Sequence, residues 1–160
     1  WTAEVLTRLH QEVPDFSRSL RIVSSVSGGS VGTMYFVGAF AGPDGPPPQA
    51  LEEIRRLAVR SSLNSVAWGF SYPDLWRTFW PFVPESAIDR ARTLELAWAR
   101  GWPGRAQTLA QWRDDAATGR RPAVAFNATV VETGRRLVFG SFDMKPVAEK
   151  AAKPAEKPAK

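Results

Sequence analysis

The chain has 160 residues, 44% hydrophobic and 23% charged, the balance of one globular domain rather than a disordered or membrane-spanning protein. Its net charge of +5 is uneven: in residues 145–160 five lysines stand against two glutamates, leaving +2 on residues 1–144 and no ground for a nucleic-acid partner. With no cysteine and one histidine, neither a disulfide framework nor an ordinary zinc site is expected, and no metal or cofactor is called for.

TAEVLTRLHQE (2–12) spaces Val5, Leu6 and Leu9 for one helical face, and Pro14 and Asp15 end that helix. Ser19 to Val26, with Leu20, Ile22 and Val23, predicts a buried strand. After Gly28 and Gly29, SVGTMYFVGAF continues as an apolar helix, so a strand gives way to a helix across a turn of small residues. AGPDGPPPQA is a loop, and residues 49–63 return to a helical pattern through Leu51, Ile54, Leu57 and Val59.

An aromatic stretch follows, VAWGFSYPDLWRTFWPFVP, with little charge and with Pro73, Pro81 and Pro84 breaking any single face. Its rings are expected to fill the core or wall an acyl pocket; the alternative is contact with a membrane surface through Trp76 and Trp80. Further helices are predicted over 85–102 and 108–119. PAVAFNATVVETGRRLVFGSF then alternates, turns at Glu132-Thr133-Gly134 and returns, the pattern of a β-hairpin. The tail KPVAEKAAKPAEKPAK has no apolar face to bury, so the chain divides into a domain over 1–144 and a disordered tail or linker over 145–160. No apolar run nears the ~20 residues of a membrane-spanning helix, and no signal peptide is visible; a cytoplasmic protein is expected, with peripheral membrane contact only under the alternative reading of the aromatic stretch.

The turn Ser25-Val26-Ser27-Gly28-Gly29 has the frame of a nucleophile elbow, small-x-Ser-x-Gly, with Ser25 in place of the usual first glycine. In such an elbow Ser27 stands at the tip and the amide of Gly28 faces a developing oxyanion, helped by the dipole of the following helix. Two other readings stay open: a tight turn whose glycines only allow close packing, and an anion-binding loop, although no Gly-Lys-Ser/Thr ending accompanies it. His10 precedes the serine on an amphipathic helix and reads as a surface or core-edge residue, so a Ser-His-Asp triad is not expected.

SSVSGGSVG, with the helix and strand before it and FNATVVETGRRLVF after it, resembles the patatin-like phospholipases, especially their bacterial branch related to cytosolic phospholipases. The resemblance covers residues 1–143. It implies an incomplete three-layer α/β core and a lipid acyl hydrolase in which a Ser-Asp dyad acts without histidine. Ser27 would be the nucleophile, Gly28, Gly29 and Ser25 the elbow, and a lipid or other ester the substrate. It also makes Asn127-Ala128-Thr129 and Gly134-Arg135-Arg136 part of a core hairpin. The family's glycine-rich oxyanion loop and its Asp-Gly-Gly or Asp-Gly-Ala turn have no counterpart in this chain; Asp143, at a strand end, is the remaining candidate base. The chain by itself is therefore expected to be inactive or nearly so. A non-catalytic remnant that binds lipid or a protein partner is the alternative.

Overall fold

In the computed structural model residues 1–75, 79, 90–101 and 107–143 are described; the tail, Trp76 and Trp80 lie outside them. The elements run α1 (Thr2–Glu12), α2 (Phe16–Ser19), β1 (Ile22–Val26), α3 (Gly28–Gly38), α4 (Pro48–Ala58), α5 (Leu63–Gly69), a π-helical turn (Phe70–Asp74), α6 (Arg90–Gly101), α7 (Leu109–Ala117), β2 (Ala123–Thr129) and β3 (Arg136–Gly140). The architecture is mixed α/β around a three-stranded sheet in the order β1-β2-β3.

β1 pairs with β2 in parallel, Ile22 opposite Ala123 and Val26 opposite Asn127, and β2 pairs with β3 antiparallel. The hairpin forms where the alternation predicts it. Gly134 takes φ +64 in its turn, a conformation cheap only for residues without a Cβ. Beside α7, Thr108 and Gln111 form a reciprocal capping box, each side chain accepting from the other's backbone N–H.

α3 is apolar almost all round and buries Thr33, Tyr35, Phe36 and Val37, as a helix at the centre of a core must. Around it gather Ala3 from α1, Ala50, Leu51, Ile54 and Leu57 from α4, Trp112 from α7 and Val124 from β2. α1 crosses closely over α3. A Cβ added at Gly32 would stand 2.9 Å from both the Ala3 nitrogen and Thr2 Cβ, so glycine is what admits the contact. That crossing also corrects the expected α1 face: Ala3 and Thr7 are its buried residues, because close approach selects small side chains, while Leu6 packs at the edge of the core. Arg55 ties α4 to α1, donating from Nε to Thr7 Oγ1 at 2.9 Å and lying 3.2 Å from Glu4. The hydrogen bond from Arg8, with Arg55 adding its charge, holds the Glu4 carboxyl below its ordinary value.

Three other expectations change. The strand predicted from Ser19 starts at Ile22, because residues Phe16–Ser19 close a helical turn after Asp15. β1 is not buried on both sides: Val23 and Ser25 face the helices, whereas Ile22 and Val26 are 53% and 62% exposed on an uncovered face. The described rings of the aromatic segment do not fill the core. Trp68, Phe70, Tyr72 and Phe79 are all about half exposed or more, and α5, the π-helical turn and α6 pack on one another without contributing to the central cluster.

Candidate functional site

Ser27 is placed between the last residue of β1 and the first of α3, with φ 52 and ψ −132. Only one other described non-glycine residue has positive φ, Asp15 at φ 56 and ψ 15, which sits in the left-handed helical basin that Asp tolerates. Ser27 lies outside that basin, in territory that belongs almost entirely to glycine and costs about 1–3 kcal/mol for any other residue. The backbone reverses there: Ser30 N–H bonds to the Ser27 carbonyl at 2.9 Å, and Ser25 Oγ and Ser30 Oγ meet at 3.4 Å, joining strand to helix.

The small residues around the turn divide into separate roles. A Cβ at Gly28 would meet nothing within 4 Å, so the space beside Ser27 is open. At Gly29 it would make ordinary contact with Thr2 Oγ1 and Ser25 Cβ, while at Gly32 it would clash with α1. Close packing thus accounts for Gly32, not for Gly28. Ser27 makes no side-chain cap to α3, which leaves the Gly28 and Gly29 amides as the first unsatisfied donors of the helix, with no acidic residue in its first turn. A developing negative charge at Ser27 would meet those donors and the positive end of the α3 dipole.

Among the described residues no group hydrogen-bonds the Ser27 hydroxyl, and the expected partners lie elsewhere. Asp143 follows β3, whose C-terminal end pairs with the start of β2: Ser141 N–H bonds to the Val124 carbonyl at 3.0 Å. β1 runs parallel to β2, so Asp143 stands at the opposite end of the sheet from Ser27, on the order of 15 Å away for strands rising ~3.3 Å per residue. Its carboxylate is exposed and lies 3.5 Å from Arg113. The structure therefore does not bring Asp143 to Ser27. His10 sits at the far end of α1 from the Thr2 contact with Gly29, its Nδ1 2.8 Å from Ser17 Oγ and its ring edge-on to Phe36, a core-edge histidine.

Beside the elbow the uncovered face of the sheet holds an open groove of about 500 Å³, lined by Ser24, Ser25, Val26, Asn127, Ala128, Thr129 and Arg136. Asn127 is its hub. Its Nδ2 donates to Ser24 Oγ at 3.0 Å and to the Ser25 and Ala125 carbonyls at 2.9 and 3.2 Å. Its Oδ1 accepts from Arg136 Nε at 2.9 Å and from Arg136 Nη2. The sequence pattern assigned Asn127 and Arg136 only to a hairpin. The available signal was an Asn within an apolar alternating strand, a position such residues seldom occupy without a hydrogen-bonding task. A second groove, about 390 Å³, lies between α5 and α6 with Trp68, Leu96 and Arg100 in its walls.

No protein-family model, no curated protein and no solved structure matches the chain.

Proposed function

We propose that this chain carries the strand–elbow–helix centre of a patatin-like lipid acyl hydrolase, with Ser27 as nucleophile. The observation that carries the proposal is the backbone of Ser27. A turn that served packing alone would be relieved by glycine at position 27, next to the two glycines already present; instead a hydroxyl-bearing residue occupies a conformation that disfavours it. Strain of this kind is what a nucleophile elbow uses to hold its serine clear of the sheet.

In the reaction, the Ser27 hydroxyl loses its proton to a carboxylate base as Oγ attacks the acyl carbonyl. The Gly28 amide donates to the resulting oxyanion. Collapse releases the alcohol, which takes the proton, and leaves an acyl-serine ester that water cleaves to regenerate Ser27. The dyad carboxylate and the glycine-rich oxyanion loop belong to sequence outside this chain in this reading. The uncovered face of β1 supports it, since parallel strands are ordinarily covered on both sides. Among the described residues no helix is long and apolar enough to cross a membrane. The exposed rings of Trp68, Phe70, Tyr72 and Phe79 support peripheral contact of a cytoplasmic protein with lipid.

The absence of any hydrogen-bond partner for the Ser27 hydroxyl among the described residues favours one rival, a remnant that binds lipid or a partner without turnover. A fluorogenic short-chain ester separates the two in the reading frame that contains this chain. If Ser27 is the nucleophile, Ser27→Ala removes at least about 10³-fold of the hydrolysis; hydrolysis that is absent, or indifferent to the substitution, overturns the proposal. This chain by itself is expected to show no turnover that depends on Ser27.

A further inference from the structure

We infer that the cavity lined by Arg18, Arg21 and Arg121, at the starting ends of β1 and β2, binds a small inorganic anion of chloride size. It lies away from Ser27, which follows the other end of β1, and it stands independently of the hydrolase reading.

Arg121 is the residue that calls for a partner. It is 7% exposed, a burial that a guanidinium tolerates only when its donors and its charge are met. Part of that demand is satisfied. Nη1 donates to Gln107 Oε1 at 2.8 Å, Nη2 lies 2.7 Å from Asp115 Oδ2, and the guanidinium carbon is 5.3 Å from the centre of the Trp112 ring. Its Nε, however, is buried and has no hydrogen-bond partner, a state that few buried donors keep unless an ion or a water meets them. Burial also pulls the Arg121 pKa below its ordinary value, against the raising effect of Asp115.

The surrounding charge decides between those two guests. Asp115 is shared with Arg120, and Arg18 meets Asp44 at 2.5 Å with Asp15 acting on it at longer range. Arg21 has no carboxylate within ion-pair distance among the described residues. Four guanidiniums, those of Arg18, Arg21, Arg120 and Arg121, are therefore set against the three carboxylates of Asp15, Asp44 and Asp115, and positive charge is in excess. A water would satisfy Nε alone; an anion answers the donor and the charge together. The cavity has about 50 Å³ of room, with Ser17 adding a hydroxyl and Leu20 and Phe40 apolar walls. Against about 30 Å³ for one water, that room suits a compact ion and not an organic anion.

Chloride NMR linewidths of this chain, at constant ionic strength with bulky gluconate as the balancing anion, test the assignment. The wild type should broaden the chloride resonance saturably, and bromide, similar in size, should compete. Arg21 is exposed, so Arg21→Gln can be made without opening the core, and it should weaken chloride binding about tenfold or more. Arg21→Lys, which keeps the charge, should recover part of that loss. Arg135→Gln removes the same charge from the exposed turn before β3 and should leave chloride affinity unchanged. No saturable broadening by the wild type would overturn the site and leave the cavity to water. Equal weakening by Arg21→Gln and Arg135→Gln would overturn it too, since that is the mark of diffuse attraction to net charge.

Discussion

At position 27 a serine adopts a backbone conformation that glycine would adopt freely, and the consequence is measurable as stability. Ser27→Gly should stabilise the fold by about 1–2 kcal/mol, because it removes strain from the native state that exceeds the entropy gained by the unfolded chain. Ser27→Ala keeps the Cβ and should leave stability nearly unchanged. Urea unfolding of the three proteins checks this; a Ser27→Gly variant less stable than the wild type would mean the turn is not strained. The serine's place between strand and helix was legible in the sequence, because small residues at 25, 28 and 29 frame it. Its dihedral angles were not, since a structural turn and an elbow share that spelling. The Asn127 hub was illegible for a different reason. It depends on a bridge to β1, a contact between residues over a hundred positions apart in the chain.

Among the elements, the α1–α3 crossing depends on one small residue. Gly32 is the point of contact, and it cannot be replaced without moving α1, since backbone as well as side chain lies 2.9 Å from the added carbon. Gly32→Ala should therefore destabilise by about 1–3 kcal/mol, the usual cost of overpacking, despite alanine's better helix propensity. Gly28→Ala, facing open space, should be close to neutral. Thermal denaturation of both variants gives the comparison, and a neutral Gly32→Ala would refute the close crossing. Helix α1 itself was readable to the residue, but its buried face was not. Hydrophobic spacing picks large residues, whereas a glycine-mediated crossing is made by Ala3 and Thr7. The hairpin was readable because its alternation and the Gly134 turn are both local signals.

Across the whole molecule, apolar side chains fall into two populations. Phe36 is fully buried in the core cluster, its ring edge-on to His10 and Phe40, while Trp68, Phe70, Tyr72 and Phe79 of the aromatic segment are at the surface. Phe36→Ala should cost about 3–5 kcal/mol and Trp68→Ala less than about 0.5 kcal/mol, as a half-exposed ring outside the core implies. Denaturant midpoints of these two variants would show the contrast; a large loss at Trp68 would place the aromatic segment in the core after all. Composition could not separate the populations, because aromatic content reports how much apolar area exists and not which elements cover it. The uncovered face of β1 was hidden for the same reason: Ile22 and Val26 look like core residues until the strand's neighbours are known.

The claim on which the account turns is that Ser27 is presented as a nucleophile, and reaction with an uncharged fluorophosphonate, read by peptide mass spectrometry, tests it most directly. The phosphonyl adduct should appear on the peptide containing Ser27 ahead of every other serine, slowly for want of the base, and should vanish in Ser27→Ala. Modification spread evenly over exposed serines, with Ser27 not preferred, would mean that the strained turn holds a packing contact and no nucleophile.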